Sequence, residues 1–272
     1  MSSPRNKVLH HIIDSHIHLC HIERYHRERI AWLAEHQCRV ISWAYGVNIG
    51  TVSDLKHYFT HRLSIFKALR RRGLDCYDLC GIHPRKIPPD LRPEAVADLL
   101  APFMERPECL GIGEIGLETG SSQEREILCA QLEFGLGLGR PEVRFGIHTP
   151  RKEKISITTQ LLQLLDAYEM LPAVAVIDHC TREIIGSVLS RGYHAGISLS
   201  PIKSSGAELM KMLKCHASQT GRIMCNTDSG RDFYEDLVLA SLAGGIEKKI
   251  AENVFFGTAA QFFGIADKSR EE

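Results

Sequence analysis

The sequence has no excess of charge of either sign: its 33 lysines and arginines equal its 33 aspartates and glutamates. No global field therefore draws in a polyanion, and nucleic-acid binding would need a local basic patch. Long hydrophobic runs are also missing. None reaches the ~18 apolar residues of a membrane-spanning helix, and no secretory core follows "MSSPRNKVLHH". The expectation is a soluble protein without a membrane partner. Nine cysteines occur, an odd count with no paired spacing. That argues against a disulfide scaffold and for a reducing, cytoplasmic setting. Cys80, Cys109, Cys180 and Cys225 lie in or beside apolar runs and read as small buried thiols rather than metal ligands. Low-complexity blocks, repeats and long linkers are absent too. One domain over residues 1–272, with a core of about 12–264, is expected.

What the chain does have is a recurring alternation. Short apolar runs appear at 12–19, 39–46, 75–84, 109–118, 143–150, 173–180, 194–201 and 222–230. Segments with helical spacing lie at about 24–37, 53–72, 93–105, 123–139, 155–170, 181–191, 204–218 and 231–243. In 123–139, for example, Ile127, Leu128, Leu132 and Leu136 share one face, and the segment stops in glycines. Strands alternating with helices imply a parallel sheet covered by helices. Eight such units in 272 residues predict an α/β fold of the (β/α)8 TIM-barrel type, which needs roughly 250 residues. The glycine-rich "GIGEIGLETG" (111–120) imitates a dinucleotide loop, but its glycines do not lead into a helix and Glu114 sits in its middle. A dinucleotide site is rejected on that ground.

Fourteen histidines are the unusual ingredient, and their positions matter more than their number. In "IIDSHIHL" (12–19), His16 and His18 are two apart, so on an extended strand both imidazoles face one way. Burying them there is costly unless something binds them. Glu114, His148, His179 and Asp228 fall toward the C-terminal ends of the fourth, fifth, sixth and eighth strand candidates. Singly, each has an ordinary explanation: a barrel-mouth ion pair, a satisfied histidine, a helix cap. Together they would converge on the one rim where barrel enzymes keep their active sites. Four imidazoles and two carboxylates suit two divalent ions, zinc first, with manganese, iron or magnesium as alternatives.

"DSHIHL", "GIHP", "GIGEIGLE", "GIHTPR", "VIDHC" and "NTDSG" follow one another in the order seen in TatD-like metal-dependent hydrolases, a branch of the amidohydrolase superfamily. The resemblance spans roughly residues 12–264. It implies a (β/α)8 barrel with a one- or two-metal site, in which His16 and His18 hold one ion, Glu114 bridges, and His148 and His179 hold the second. Asp228 would bind the first ion or its water. The pattern also departs from that of the TatD nucleases. Asn226 and Thr227 stand where a glutamate usually precedes the aspartate, Gly230 replaces a proline, and Glu118 replaces an aspartate. "TPRKEK" follows His148 in place of the usual arginine pattern. These features look closer to an archaeal and bacterial TatD-related subgroup.

The expected chemistry is hydrolysis. One ion lowers the pKa of bound water to about 7, and two ions can grip both sides of a displacement. Asp228 and Glu114 are the expected catalytic carboxylates, with Asp228 accepting a proton and passing it to the leaving group. Because the histidines must be neutral to bind, activity should fall below about pH 6. His83, in "GIHPRK", and Arg151 are the expected substrate-binding residues, Arg151 as a bidentate anion clamp. Arg85, Lys152, Lys154, Ser200 and Arg231 are weaker candidates. The leading substrate is a phosphoester, in a small anionic molecule or at a nucleic-acid end. An amide or lactone hydrolase is the alternative, and a non-catalytic metal-stabilised scaffold is the reading from another class.

Overall fold

The structure is a computed structural model that describes residues 12–200, 202–228 and 245–266. Eight strands form it: β1 (Ile13–Ile17), β2 (Arg39–Trp43), β3 (Cys76–Leu79), β4 (Cys109–Gly116), β5 (Arg144–His148), β6 (Ala175–Ile177), β7 (His194–Ser198) and β8 (Ile223–Asn226). Each pairs in parallel with its neighbour in chain order. β8 returns to β1: Ile17 bridges to Asp228, Asp228 N donates to His16 O at 2.9 Å, and Ser15 Oγ donates to Cys225 O at 3.0 Å. The architecture is the expected (β/α)8 barrel. The strands are shorter than the apolar runs that announced them, because the C-terminal part of several runs leaves the ladder to form the rim.

Helices follow most strands and start where the sequence offers caps. Thr51 and Asp54 form a reciprocal capping box at Val52–Arg71, and Ser205 and Glu208 form another at Gly206–Cys215. Segment 24–37 becomes two helices, Leu19–Tyr25 and Arg27–Glu35, separated at His26 by an extended φ of −144°. Segment 155–170 ends early, as Lys154–Leu165, and 181–191 shrinks to Ile185–Ser190. Segment 231–243 lies outside the described residues, as does Arg231. Among the described residues, no helix is long and apolar enough to cross a membrane.

Inside the barrel, Ile13, Ile41, Leu79, Val176 and Met224 pack with Phe262, Phe263 and Ile265 of the C-terminal segment. That segment, including helix Thr258–Phe263, was not anticipated. It covers the N-terminal end, where Arg39 donates to Ala266 O at 2.7 Å. The opposite rim is left for chemistry, as in other barrels of this type. Between barrel and helices, Asp78 is fully buried among charges: Arg62 Nε donates to Oδ1 at 2.9 Å and Arg106 Nη2 to Oδ2 at 2.6 Å.

Candidate metal centre

All six expected ligands meet at the C-terminal rim. Glu114 is central. Its Oε1 lies 2.6 Å from His148 Nδ1 and 3.2 Å from His179 Nε2. Its Oε2 lies 3.4 Å from His16 Nε2 and 3.7 Å from His18 Nε2. Asp228 Oδ1 completes the set at 3.1 Å from His18 Nε2 and 3.7 Å from His16 Nε2. Strand alternation alone does not bring these groups together. The β4–β5 register shifts between Gly113 and Ile115, so the ladder is irregular at Glu114, and such irregularities re-aim side chains. His179 (φ 56°) and Asp228 (φ 61°) are left-handed, a conformation in which Asp and His are over-represented among non-glycine residues. At His179 this turn breaks the alternation, so both Asp178 and His179 face the site.

A second set of groups holds the imidazoles in place. His16 Nδ1 donates to Asp178 Oδ2 in a short hydrogen bond, while Asn226 Nδ2 donates to Asp178 Oδ1 at 2.8 Å. His18 Nδ1 donates to Trp43 O at 3.1 Å. The Trp43 indole stacks on His16 with ring centres 4.0 Å apart and planes 8° apart. His148 Nε2 reaches Glu118 Oε2 at 2.7 Å, and His179 Nδ1 reaches Ser198 Oγ at 2.7 Å. Lys203, on the loop after β7, places Nζ 2.5 Å from Asp228 Oδ2 and 3.0 Å from His179 Nδ1. Space for Asp178 depends on Gly196, where a Cβ would lie 2.1 Å from Asp178 Oδ1. Asp178 and Lys203 were not anticipated. The aspartate of "VIDHC" was visible, but its reach across the barrel to β1 was not.

Electrostatics favour a cation here. Burial works against charge on His16, yet Glu114 and Asp178 outweigh it and raise its pKa to about 10. Burial opposes ionisation of Glu114 too, but the surrounding histidines hold its carboxyl well below the usual range. Asp228 is likewise held low, against burial, by His18, His179 and Lys203. Burial and Lys203 lower His179 to about 4, and burial lowers His83 to about 3. His16 Nε2 and Glu114 Oε2 are buried without a hydrogen-bond partner, an arrangement that is costly unless an ion joins them. Buried orphan donors of the imidazole and carboxylate type fit divalent metal. Three overlapping groups have ligand atoms within 4.8 Å of one another: His16–His18–Glu114, His16–His179–Asp228 and His83–Glu114–His148. His179 is grouped with His16 and Asp228 and also lies 3.2 Å from Glu114 Oε1, and His83 faces the same mouth, as expected, 3.3 Å from Glu114 Oε1.

A cavity of about 890 Å³ opens beside His148 and His179. Arg85, Arg151, Lys154, Arg182, Lys203 and Lys211 contribute to its wall, against Glu183 and Glu208. Arg151 is thus beside the site but exposed on its outer wall. Lys154 is more enclosed: Nζ donates to Thr149 Oγ1 at 2.5 Å, and burial lowers its pKa to about 8.

Comparison with known proteins agrees with the barrel fold. A family profile described as TatD related DNase matches residues 13–230. An uncharacterized metal-dependent hydrolase of Methanocaldococcus jannaschii is 26% identical over 143 residues, 52% of this chain and 55% of that protein. The match thus spans about half the length of that curated relative. The crystal structure of a TatD-like protein from Archaeoglobus fulgidus superposes with a TM-score of 0.72 at 28% identity, covering 93% of this chain and 100% of that one. A TatD homologue from Escherichia coli K12 shares the fold at 16% identity, with a TM-score of 0.66 and coverage of 95% and 100%. With the profile extending from β1 to just beyond Asp228, the chain belongs to the TatD related DNase family.

Proposed function

We propose that this protein is a metal-dependent hydrolase that cleaves a phosphoester, in a small anionic substrate or at a nucleic-acid end. The observation that carries the substrate class is the cation-lined cavity of about 890 Å³ next to the ligand cluster. A chain with no net charge has concentrated arginine and lysine where a phosphate would sit. The family description and the metal-dependent relative support hydrolysis.

His16, His18 and Asp228 would hold one ion, His148 and His179 the other, and Glu114 both. Zinc suits this imidazole-rich set best. Two bound cations would supply Lewis acidity and a lowered water pKa. Asp228 then accepts the proton of the attacking water and delivers it to the leaving group. Its second oxygen is held by Lys203 at 2.5 Å, which fixes the carboxylate's orientation. Arg151 and Lys154 orient the anion from the cavity wall. The buried free thiols fit a cytoplasmic protein, organised as one barrel domain.

Metal-reconstituted protein assayed on a nitrophenyl phosphodiester, oligonucleotides, lactones and N-acyl amides tests the reading. Phosphodiester turnover is expected, reduced at least ~100-fold in Asp228→Asn. Asparagine tolerates the left-handed backbone at this position, so the fold should persist. Turnover confined to lactones or amides would overturn the phosphoester assignment. Unchanged turnover in the variant would remove Asp228 from its role.

A further inference from the structure

His83 follows β3 and caps the short turn Pro84–Lys86. Its Nδ1 accepts a hydrogen bond from Arg85 N at 3.0 Å. A peptide nitrogen can only donate, so Nδ1 must present its lone pair. In a neutral imidazole the proton then resides on Nε2. That Nε2 points into the site, 3.3 Å from Glu114 Oε1, without a hydrogen-bond partner. The residue is 2% exposed, and its ring is flanked by Tyr45 at 4.9 Å and His148 at 4.6 Å. Gln131 pins the preceding peptide from both sides, accepting from Ile82 N at 2.7 Å and donating to Ile82 O at 3.2 Å. A flipped ring would set carbon against the Arg85 amide and lose the cap.

Two of the other inward imidazoles are wired the opposite way. His16 and His18 each donate from Nδ1, to Asp178 and to the Trp43 carbonyl, which turns Nε2 toward Glu114 and Asp228 and leaves it free to give up its proton to a cation. His148 lies between two carboxylates, with Nε2 2.7 Å from Glu118 Oε2 and Nδ1 2.6 Å from Glu114 Oε1. Proximity alone groups His83 with Glu114 and His148 as three possible ligands. The hydrogen on Nε2 argues against that grouping, because a metal needs the lone pair. Glu114 Oε1 already faces His148 at 2.6 Å and His179 at 3.2 Å, so its claim on a third, longer contact is weak.

We propose that His83 is not a ligand but a tautomer-locked, neutral Nε2–H donor to the substrate oxygen on which negative charge builds during hydrolysis. In the reading above, which this inference rests on, that oxygen belongs to the phosphoryl group. A fixed donor aimed at developing charge acts on the transition state more than on the ground state. Its loss therefore lowers kcat more than it raises KM.

The test combines metal content, kinetics and NMR on the metal-loaded full chain. His83→Phe keeps an aromatic ring without a donor, and His83→Gln restores an N–H near the Nε2 position. Metal per chain and zinc affinity, from elemental analysis and chelator competition, are expected to match wild type in both variants. With a phosphodiester substrate, kcat is expected to fall about 100-fold in the Phe variant, and Gln to recover at least about tenfold of it. Nitrogen-15 NMR, assigned by loss of the signal in His83→Phe, is expected to show the Nε2–H tautomer. A metal deficit in either variant, an Nδ1–H signal, or a Gln variant no faster than Phe overturns the proposal. Metal content and tautomer are read without substrate. A wild-type protein inactive on phosphodiesters would thus sink the substrate assignment while those two readouts still separate donor from ligand.

Discussion

Replacing Asp178 with asparagine should weaken metal binding without touching a ligand. The carboxylate sits between two donors: His16 Nδ1 on one oxygen, Asn226 Nδ2 at 2.8 Å on the other. An asparagine there offers one oxygen and one amide group, so one neighbouring N–H must face another donor. A buried polar group stranded in this way costs about 1–3 kcal/mol. If His16 loses its partner, its ring orientation and the basicity of Nε2 suffer together. Such changes behind a ligand typically lower metal affinity 10–100-fold, about 1.4–2.7 kcal/mol. Competition between the metal-free protein and a chromophoric chelator for zinc measures this directly. Gly196→Ala provides a second route to the same effect, because its Cβ would lie 2.1 Å from Asp178 Oδ1 and must displace the carboxylate. A folded Asp178→Asn protein that binds zinc within twofold of wild type would refute the reasoning.

Other consequences follow from the buried charges of the site and the barrel wall. In the metal-free protein Glu114 and Asp178 raise the His16 pKa to about 10, against burial, so a cation must compete with a proton there. Zinc affinity is expected to rise about tenfold per pH unit between about pH 6 and 9, and a flat profile would contradict the assignment. The same raised pKa stabilises the metal-free fold fully below about pH 6.5, and that contribution is lost as pH rises through about 10. Urea titrations of chelated protein across that range should show it. Far from the candidate metal centre, Asp78→Ala leaves the buried Arg62 and the half-buried Arg106 without their shared carboxylate. A loss of about 3–5 kcal/mol in denaturant unfolding is expected, and a loss under about 1 would mean the cluster relaxes into solvent.

The barrel was legible in the alternation of apolar runs and helical segments, since burial of a parallel strand on both faces leaves a continuous apolar signature. The cluster of candidate ligands was legible for a related reason: an ionisable residue at the end of such a run is conspicuous. Less visible was how the ends of the runs are shaped. His179 and Asp228 face the centre through left-handed backbone, and Glu114 through a register shift, none of which the period-2 pattern encodes. The C-terminal helix that closes the barrel's other end has no strand beside it in sequence to announce it.

Composition and pattern sufficed for the eightfold architecture and for picking out six side chains that meet at one rim, because both depend on residue type repeated at recognisable positions. Contacts between distant segments assigned the supporting roles: Asp178 behind His16, 162 residues apart, and Lys203 on Asp228. The proton on His83 was settled by one peptide N–H, a matter of direction that no residue type carries. Hydrogen bonds have an orientation in space, and letters in a chain do not.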